Sequence, residues 1–235
     1  MHRRPSSGYI IDCMHTNGTE TGTGRGTLIA FMGLPGSGKT STARELANLL
    51  EAAVYLEPNE EHWPQAVLNR HRVGAFTALT WFRSMRVPLL VTAAGDRDAG
   101  RIAVLDSYYD KLIAGYIDDP AMQWLIGPDD PYFEVAKQMA ILDKKLLPDV
   151  DILIFLQVTE ANWNRLLSTR NRAMDQEAEF LKSFSSQSEF LAASKSYTET
   201  TGARLVVYEQ QFGSAHSTAV ALREHMQELG LLDQE

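Results

Sequence analysis

The feature that most constrains this chain is a glycine-rich stretch at residues 33–40, with the sequence GLPGSGKT. It matches the pattern G-x-x-x-x-G-K-[ST], the phosphate-binding P-loop, which lies between a strand and a helix. Residues 27–32 before it are apolar and favour a strand. Residues 41–50 after it place Ala43, Leu46 and Leu49 on one helical face. The sequence therefore predicts a strand, a phosphate loop and a helix in succession.

A P-loop binds the phosphates of a nucleoside triphosphate mainly through its backbone. Glycines let N–H groups turn toward phosphate oxygens, and the helix N-terminus adds a partial positive charge. Lys39 is expected to reach the β- and γ-phosphates, and the Thr40 hydroxyl to ligate Mg²⁺. ATP and Mg²⁺ are therefore the predicted cofactors. The predicted nucleotide-binding residues of this stretch are Gly33, Leu34, Pro35, Gly36, Ser37, Gly38, Lys39, Thr40 and Ser41.

The rest of the chain alternates apolar runs with helical patterns, which is typical of a parallel sheet with helices on both faces. Further strands are predicted at residues 53–56, 101–105, 150–156 and 203–208. Helices are predicted near residues 59–68, over 132–147, after an N-cap at Thr159, over 176–198 and over 219–229. Another helix is predicted from residue 76 to a break or kink at Pro88, and the segment after Pro88 is expected to end in a turn at residues 95–97. The predicted fold is an α/β P-loop NTPase three-layer sandwich with a five-stranded parallel sheet and a small arginine-bearing lid at about 165–178.

Two carboxylates follow predicted strands and so mark the edge where the P-loop lies. Glu57, fixed by Pro58, follows the second strand, and Asp106 follows the third. Because ligands of open parallel sheets bind at the carboxyl ends of the strands, both side chains are expected at the mouth of one crevice. For Glu57 a solvated loop carboxylate is the alternative.

Charge and composition limit the partners of the chain. It has 235 residues, a net charge of −8 and one cysteine, Cys13. The acidic balance argues against a nucleic-acid polymer, no apolar run is long enough for a membrane span, and a single cysteine suits the cytoplasm. Residues 1–25, rich in Ser, Thr and Gly, are expected to form a flexible leader before one domain at 26–235.

From about residue 27 to residue 208 the sequence resembles the deoxynucleoside kinase and thymidylate kinase branch of P-loop kinases. Glu57-Pro58 followed by Trp63 is similar to the Glu-Pro-…-Trp segment of deoxynucleoside kinases. The resemblance implies that Glu57 is the general base on a 5′-hydroxyl and that Trp63 lines a nucleoside pocket, with a core aromatic as the alternative for Trp63. Asp106 resembles the acidic residue that ends the third strand in both families, with a water-mediated Mg²⁺ role, whereas Ser107 stands where both carry arginine.

The resemblance also assigns roles to arginines. Arg83 looks like the substrate-contacting arginine of thymidylate kinases, with a surface ion pair as the alternative. Arg165, Arg170 and Arg172 resemble the lid arginines that close over the transferred phosphoryl group, with a solvated helix end as the alternative. Tyr109 is a candidate to stack on a base, or to pack in the core.

These residues leave four functions open. The first is ATP-dependent phosphoryl transfer to a small hydroxyl acceptor, foremost a (deoxy)nucleoside, because a hydroxyl needs a base such as Glu57. The others are a thymidylate-type nucleoside monophosphate kinase, a kinase of a non-nucleoside small molecule, and a nucleotide-binding regulatory module with little turnover. A GTPase is disfavoured because no N-K-x-D pattern is present. The sequence does not decide the oligomeric state, a homodimer included.

Overall fold

The structure, a computed structural model, describes residues 24–170 and 183–232. The predicted leader falls outside this range except for its last two residues. Residues 171–178 of the predicted lid, including Arg172, and residues 176–182 of the predicted long helix also lie outside the described residues.

Five parallel strands form one sheet in the order β2-β3-β1-β4-β5, and the parallel five-stranded sheet agrees with the sequence prediction. The strands are β1 (Leu28–Gly33), β2 (Ala53–Tyr55), β3 (Ala103–Leu105), β4 (Ile152–Gln157) and β5 (Arg204–Glu209). Strand β1 is central and all six of its residues are buried, since helices cover both faces of a parallel sheet. The carboxyl ends of all five strands therefore meet at one edge.

The alternation of side chains along β1 builds a core on each side of the sheet. Leu28, Ala30 and Met32 join one cluster, and Ile29 and Phe31 join the other. The helices are α1 (Lys39–Leu49), α2 (Gln65–Leu68), α3 (Arg70–Val73), α4 (Ala75–Asp98), α5 (Tyr109–Leu112), α6 (Phe133–Leu146), α7 (Glu160–Arg170), α8 (Gln187–Thr201) and α9 (Ala215–Glu228). Short 3₁₀ turns occupy Glu60–His62, Ile113–Gly115, Pro120–Met122 and Ser183–Ser186. Helices α1 and α9 cover one face of the sheet, and α4, α6 and α8 contribute to the core on the other.

Helix α4 continues through Pro88, so of the two predicted alternatives, a break or a kink, the break is wrong. A proline removes one helical hydrogen bond, but tertiary packing compensates, because Leu79 before it and Leu90 after it are both buried in the same core. The predicted stop at residues 95–97 is also wrong. The chain turns only at Gly100, whose φ is +83°, a value that glycine adopts without strain.

Other helix boundaries follow their capping residues. The Thr159 hydroxyl accepts a hydrogen bond from the Asn162 backbone N–H at 3.2 Å, which confirms the predicted N-cap of α7. Helix α9 begins four residues before its predicted start, because Ser214 caps the Ser217 N–H at 3.1 Å. Within residues 24–170 and 183–232, no helix has both the length and the apolar character that crossing a membrane requires.

Candidate active site at the carboxyl edge of the sheet

The P-loop turns tightly between β1 and α1, and two of its glycines are required by the geometry. Gly33 has φ +142°, and a Cβ there would lie 2.6 Å from the Leu156 carbonyl oxygen of β4. Gly36 has φ +82°, and a Cβ there would lie 2.4 Å from Leu167 Cδ2 of α7. The loop is therefore enclosed by the neighbouring strand and by α7. Of the other predicted loop residues, Leu34 and Ser37 are buried and Ser41 is exposed.

Helix α7 packs against the P-loop. The Trp163 indole N–H donates a hydrogen bond to the Pro35 carbonyl oxygen at 2.8 Å, and the Trp163 side chain is fully buried. Arg170, one of the predicted lid arginines, places Nη2 3.5 Å from the position that a Cβ on Gly36 would take. The structure therefore brings Arg170 to the P-loop.

Arg165 lies elsewhere on the same helix. Its guanidinium carbon is 3.9 Å from the ring centroid of Phe212, in the segment after β5. Phe212 and Arg165 are both exposed, so this contact lies at the protein surface. This stacked pair is a cation–π contact, and the structure describes Arg165 there rather than at the loop itself.

Lys39 lies under the P-loop with its ammonium on backbone oxygens. Nζ donates to the Leu34 carbonyl at 2.8 Å and to the Gly33 carbonyl at 3.2 Å. Burial lowers the pKa of Lys39 to about 8, although the nearby carboxylates of Glu57 and Asp106 oppose the shift. Lys39 therefore interacts electrostatically with both carboxylates of the crevice.

Tyr109 contacts the P-loop rather than open solvent. Its hydroxyl donates to the Gly33 carbonyl at 2.6 Å, and Lys39 Nζ is 5.2 Å from the ring centroid. Burial raises the pKa of Tyr109 well above its ordinary value, and the Glu57 carboxylate adds to this. The hydroxyl is therefore neutral and serves as a donor to the loop, while the predicted base-stacking role stays a prediction.

Asp106 and Thr40, the two residues predicted to bind Mg²⁺, are in direct contact. Thr40 Oγ1 donates to Asp106 Oδ2 at 3.0 Å, and the Glu57 backbone N–H donates to the same oxygen at 3.1 Å. Burial, helped by the Glu57 charge, raises the pKa of Asp106 to about 7. The other oxygen, Oδ1, is buried and has no hydrogen-bond partner within the described residues.

That unpartnered carboxylate oxygen beside a P-loop hydroxyl fits a hard cation that prefers oxygen ligands. In the described part of the chain, no group of three or more His, Cys, Asp or Glu side chains could hold a metal by itself. Thr40 and Asp106 suit Mg²⁺ held jointly with the phosphates of a nucleotide, which is its usual binding mode in kinases.

Glu57 stands at the mouth of the crevice with one oxygen occupied. Oε1 accepts a hydrogen bond from Ser107 Oγ at 2.7 Å and another from Arg86 Nη1 at 3.2 Å. Across residues 24–170 and 183–232, no hydrogen bond to Glu57 Oε2 is observed. The side chain is 24% exposed, so this carboxylate is partly accessible from solvent.

Arg86 of α4 was not predicted from the sequence, and it is central to the site. Its Nε and Nη2 donate to the two oxygens of Asp110 at 2.7 and 3.1 Å. Burial by itself would lower the pKa of Arg86, but the charges and hydrogen bonds of Asp110 and Glu57 outweigh it and raise that pKa. The signal available in the sequence was a second arginine one helical turn after Arg83, but only packing decides which of the two points inward.

The two remaining predicted acceptor-side residues make contacts of their own. Arg83 forms a two-point ion pair with Asp143 of α6, with both N–O distances at 2.6 Å. Trp63 donates its indole N–H to the Pro58 carbonyl at 3.0 Å and packs edge-on against Phe82, with ring centroids 4.9 Å apart. Arg83 is thus committed to a carboxylate, and Trp63 is one wall of a partly exposed aromatic cluster.

Comparisons with known proteins agree with this architecture. No protein-family model matches the chain. A thymidylate kinase from Xanthomonas campestris pv. campestris, in each of three strains, is 34% identical over 100 residues, which is 38% of this chain and 43% of that enzyme. The match therefore spans less than half the length of these curated relatives.

Solved structures match over nearly the whole chain. A structure of deoxyadenosine kinase from M. mycoides with bound dATP has a TM-score of 0.63 at 16% identity, covering 86% of this chain and 99% of that one. The same kinase with the products dCMP and dCDP has a TM-score of 0.61 at 17% identity, covering 87% and 100%. Thymidylate kinase from Candida albicans has a TM-score of 0.57 at 16% identity, covering 90% and 96%. The predicted resemblance is therefore confirmed: the chain is similar to a thymidylate kinase over part of its length and has the P-loop kinase fold of deoxyadenosine and thymidylate kinases.

Proposed function

We propose that this protein is an ATP-dependent kinase that transfers a phosphoryl group to the hydroxyl of a small, uncharged acceptor, foremost a (deoxy)nucleoside. The observation that carries the proposal is the direct contact of Asp106 with both the P-loop and Glu57. Asp106 Oδ2 accepts from both the Thr40 hydroxyl and the Glu57 backbone N–H. Asp106 therefore links Thr40 of the P-loop to Glu57, whose Oε2 accepts no hydrogen bond within the described residues.

On the donor side, catalysis of phosphoryl transfer needs positioning and charge neutralisation. Lys39 and Arg170 both lie against the P-loop and supply positive charge near the phosphates. Mg²⁺, held by Thr40 and Asp106, would offset further negative charge when bound. The exposed pair of Arg165 and Phe212 offers an aromatic ring and a guanidinium to the base of the nucleotide. We extend the lid role to Arg172 only as a prediction.

On the acceptor side, Glu57 is proposed to orient a hydroxyl and to accept its proton through Oε2. The charge balance favours a hydroxyl over a phosphate there. Both Arg83 and Arg86 of α4 are already paired, Arg86 with Asp110 and Glu57 and Arg83 with Asp143. A phosphorylated acceptor would bring negative charge toward Glu57 while both arginines are committed to carboxylates, which is unfavourable.

The shape of the acceptor side supports a planar ring. Trp63, Trp81 and Phe82 pack edge to face, and Arg86 lies 5.5 Å from the Phe82 ring centroid. Aromatic walls with a few convergent polar groups are the usual lining of a small-molecule site. A nucleobase fits this lining better than a sugar alone.

A second candidate, a nucleoside monophosphate kinase, is favoured by the partial similarity to thymidylate kinase. It requires that one α4 arginine leave its carboxylate when the acceptor binds. We further propose a cytoplasmic location, supported by the supply of ATP there and by the single cysteine of the chain.

The test is release of ADP with a panel of nucleosides, nucleoside monophosphates and unrelated hydroxyl compounds. We expect a nucleoside to support release and Lys39→Ala to abolish it. Faster release with monophosphates would favour the second candidate. No acceptor-dependent release across the panel would favour a regulatory nucleotide-binding module.

A further inference from the structure

We propose that Arg86 is a positioning residue of this site: locked onto Asp110, it holds the Glu57 carboxylate in the orientation that leaves Oε2 for the acceptor. The inference rests on the proposed function, since it assigns Arg86 an effect that passes through Glu57. Neither the P-loop motif nor the comparisons identify this residue.

The first observation is the rigidity of Arg86. The Arg86 side chain is only 11% exposed, and the Asp110 side chain is 5% exposed. Arg86 donates two N–H···O hydrogen bonds to the two carboxylate oxygens of Asp110. Bidentate pairs of this kind fix the plane of the guanidinium as well as its charge. The rings of Phe82 and Tyr109, with centroids 5.5 and 5.3 Å from the guanidinium carbon, further confine it.

The second observation is the use of the third guanidinium nitrogen. Nη1 of Arg86 reaches Glu57 Oε1 at 3.2 Å, and Ser107 Oγ reaches the same oxygen at 2.7 Å. Two donors on one carboxylate oxygen fix the rotation of the carboxyl group. The other oxygen, Oε2, is then left for the acceptor hydroxyl.

The third observation is the place of Ser107. The family resemblance implies an arginine at this position, directly after Asp106. In this chain a short hydroxyl occupies it, and the guanidinium beside Glu57 comes from α4 instead. Arg86 therefore supplies from a helix the positive group that the loop after β3 lacks.

A lysine could not replace Arg86 in this role. An ammonium keeps the charge but lacks the planar fork that engages Asp110 with two nitrogens and Glu57 with a third. We therefore expect Arg86→Lys to recover little of the rate lost in Arg86→Gln. Full recovery by lysine would overturn a positioning role that depends on geometry.

The decisive experiment is a double-mutant cycle using Arg86→Gln, Glu57→Gln and the double variant, with kcat measured for the acceptor that gives the fastest ADP release in the proposed panel. We expect Arg86→Gln to lower kcat about 10- to 100-fold, as misplacement of a reacting group does, with the KM for ATP within about threefold. In the Glu57→Gln background the same change should lower kcat less than about threefold, because residues that act as a unit are not additive.

Two controls separate positioning from stability. Arg97→Gln removes another buried arginine of α4, whose Nη1 donates to the Asp149 carbonyl at 2.6 Å near the opposite edge of the sheet; it should lower stability and leave kcat unchanged. Because Arg86→Gln strands a buried Asp110, the variant Arg86→Gln/Asp110→Asn is made as well and should show the same loss of kcat.

Each outcome supports or overturns the proposal. Arg86→Gln at the wild-type rate, or losses that multiply in the double variant with Glu57→Gln, would refute the positioning role alone. Glu57→Gln at the wild-type rate would refute the base assignment, and the role of Arg86 with it.

Discussion

Substituting Gly36 with alanine tests the packing of the P-loop against α7. An alanine at position 36 must adopt φ near +82°, and its Cβ would lie 2.4 Å from Leu167 Cδ2. The left-handed backbone costs about 1–2 kcal/mol for a residue with a Cβ, and overpacking a buried contact adds about 1–3 kcal/mol. Because the leucine tip can shift, we expect a total loss of about 2–4 kcal/mol in the free energy of unfolding.

The assay is urea denaturation of the ligand-free protein, with Gly95→Ala as the matched control. Gly95 lies inside α4, and a Cβ added there would meet no atom beyond the neighbouring backbone of its own helix within 4 Å, so alanine should stabilise the protein by about 0.4–1 kcal/mol. The two substitutions thus have opposite signs. A Gly36→Ala protein as stable as wild type would refute the close packing of α7 on the loop. The variant should also bind ATP more weakly, because the loop must move to accommodate the methyl group.

Two further substitutions test contacts around the crevice. Tyr109→Phe removes the hydroxyl that donates to the Gly33 carbonyl and should lower the free energy of unfolding by about 0.5–1.5 kcal/mol in urea; no change would contradict the contact. Arg83→Gln should lower the free energy of unfolding by about 2–3 kcal/mol, because it leaves the carboxylate of Asp143, which is 5% exposed, without its partner. Asp143→Asn should cost less, because the Arg83 side chain that it leaves unpaired is 31% exposed. Equal stability of all three proteins would show that this ion pair contributes nothing, and a rise in acceptor KM without loss of stability would support the predicted substrate role of Arg83.

Much of the fold could be predicted from local sequence. The P-loop, the continuous apolar run of β4 and the positions of Glu57 and Asp106 after their strands are all visible without a structure. Each depends on residues adjacent in the chain. The Thr159 cap is of the same kind.

The course of α4 could not be predicted in this way. Pro88 and Gly95 are poor helix formers, so local propensity ends the helix twice before its true end at Asp98. Burial of Leu79, Leu90 and Ala93 against the sheet outweighs that propensity. Tertiary packing of this kind is not visible in a sequence window.

The acceptor side could be predicted only in part for the same reason. Arg83 and Arg86 are one turn apart, and the sequence does not tell which one faces Glu57. The pairing depends on Asp110 and Asp143, which lie 24 and 60 positions away from their partners. The indole of Trp163 that holds the P-loop is likewise separated from Pro35 by 128 positions.

The central claim is that Glu57 serves a hydroxyl acceptor beside an intact P-loop. Its most direct test is the kcat of Glu57→Gln with the preferred acceptor, measured together with the Kd for ATP. We expect kcat to fall about 10²- to 10⁴-fold, the usual contribution of a general base, while the Kd for ATP stays within about twofold. A variant that turns over at the wild-type rate would contradict the claim.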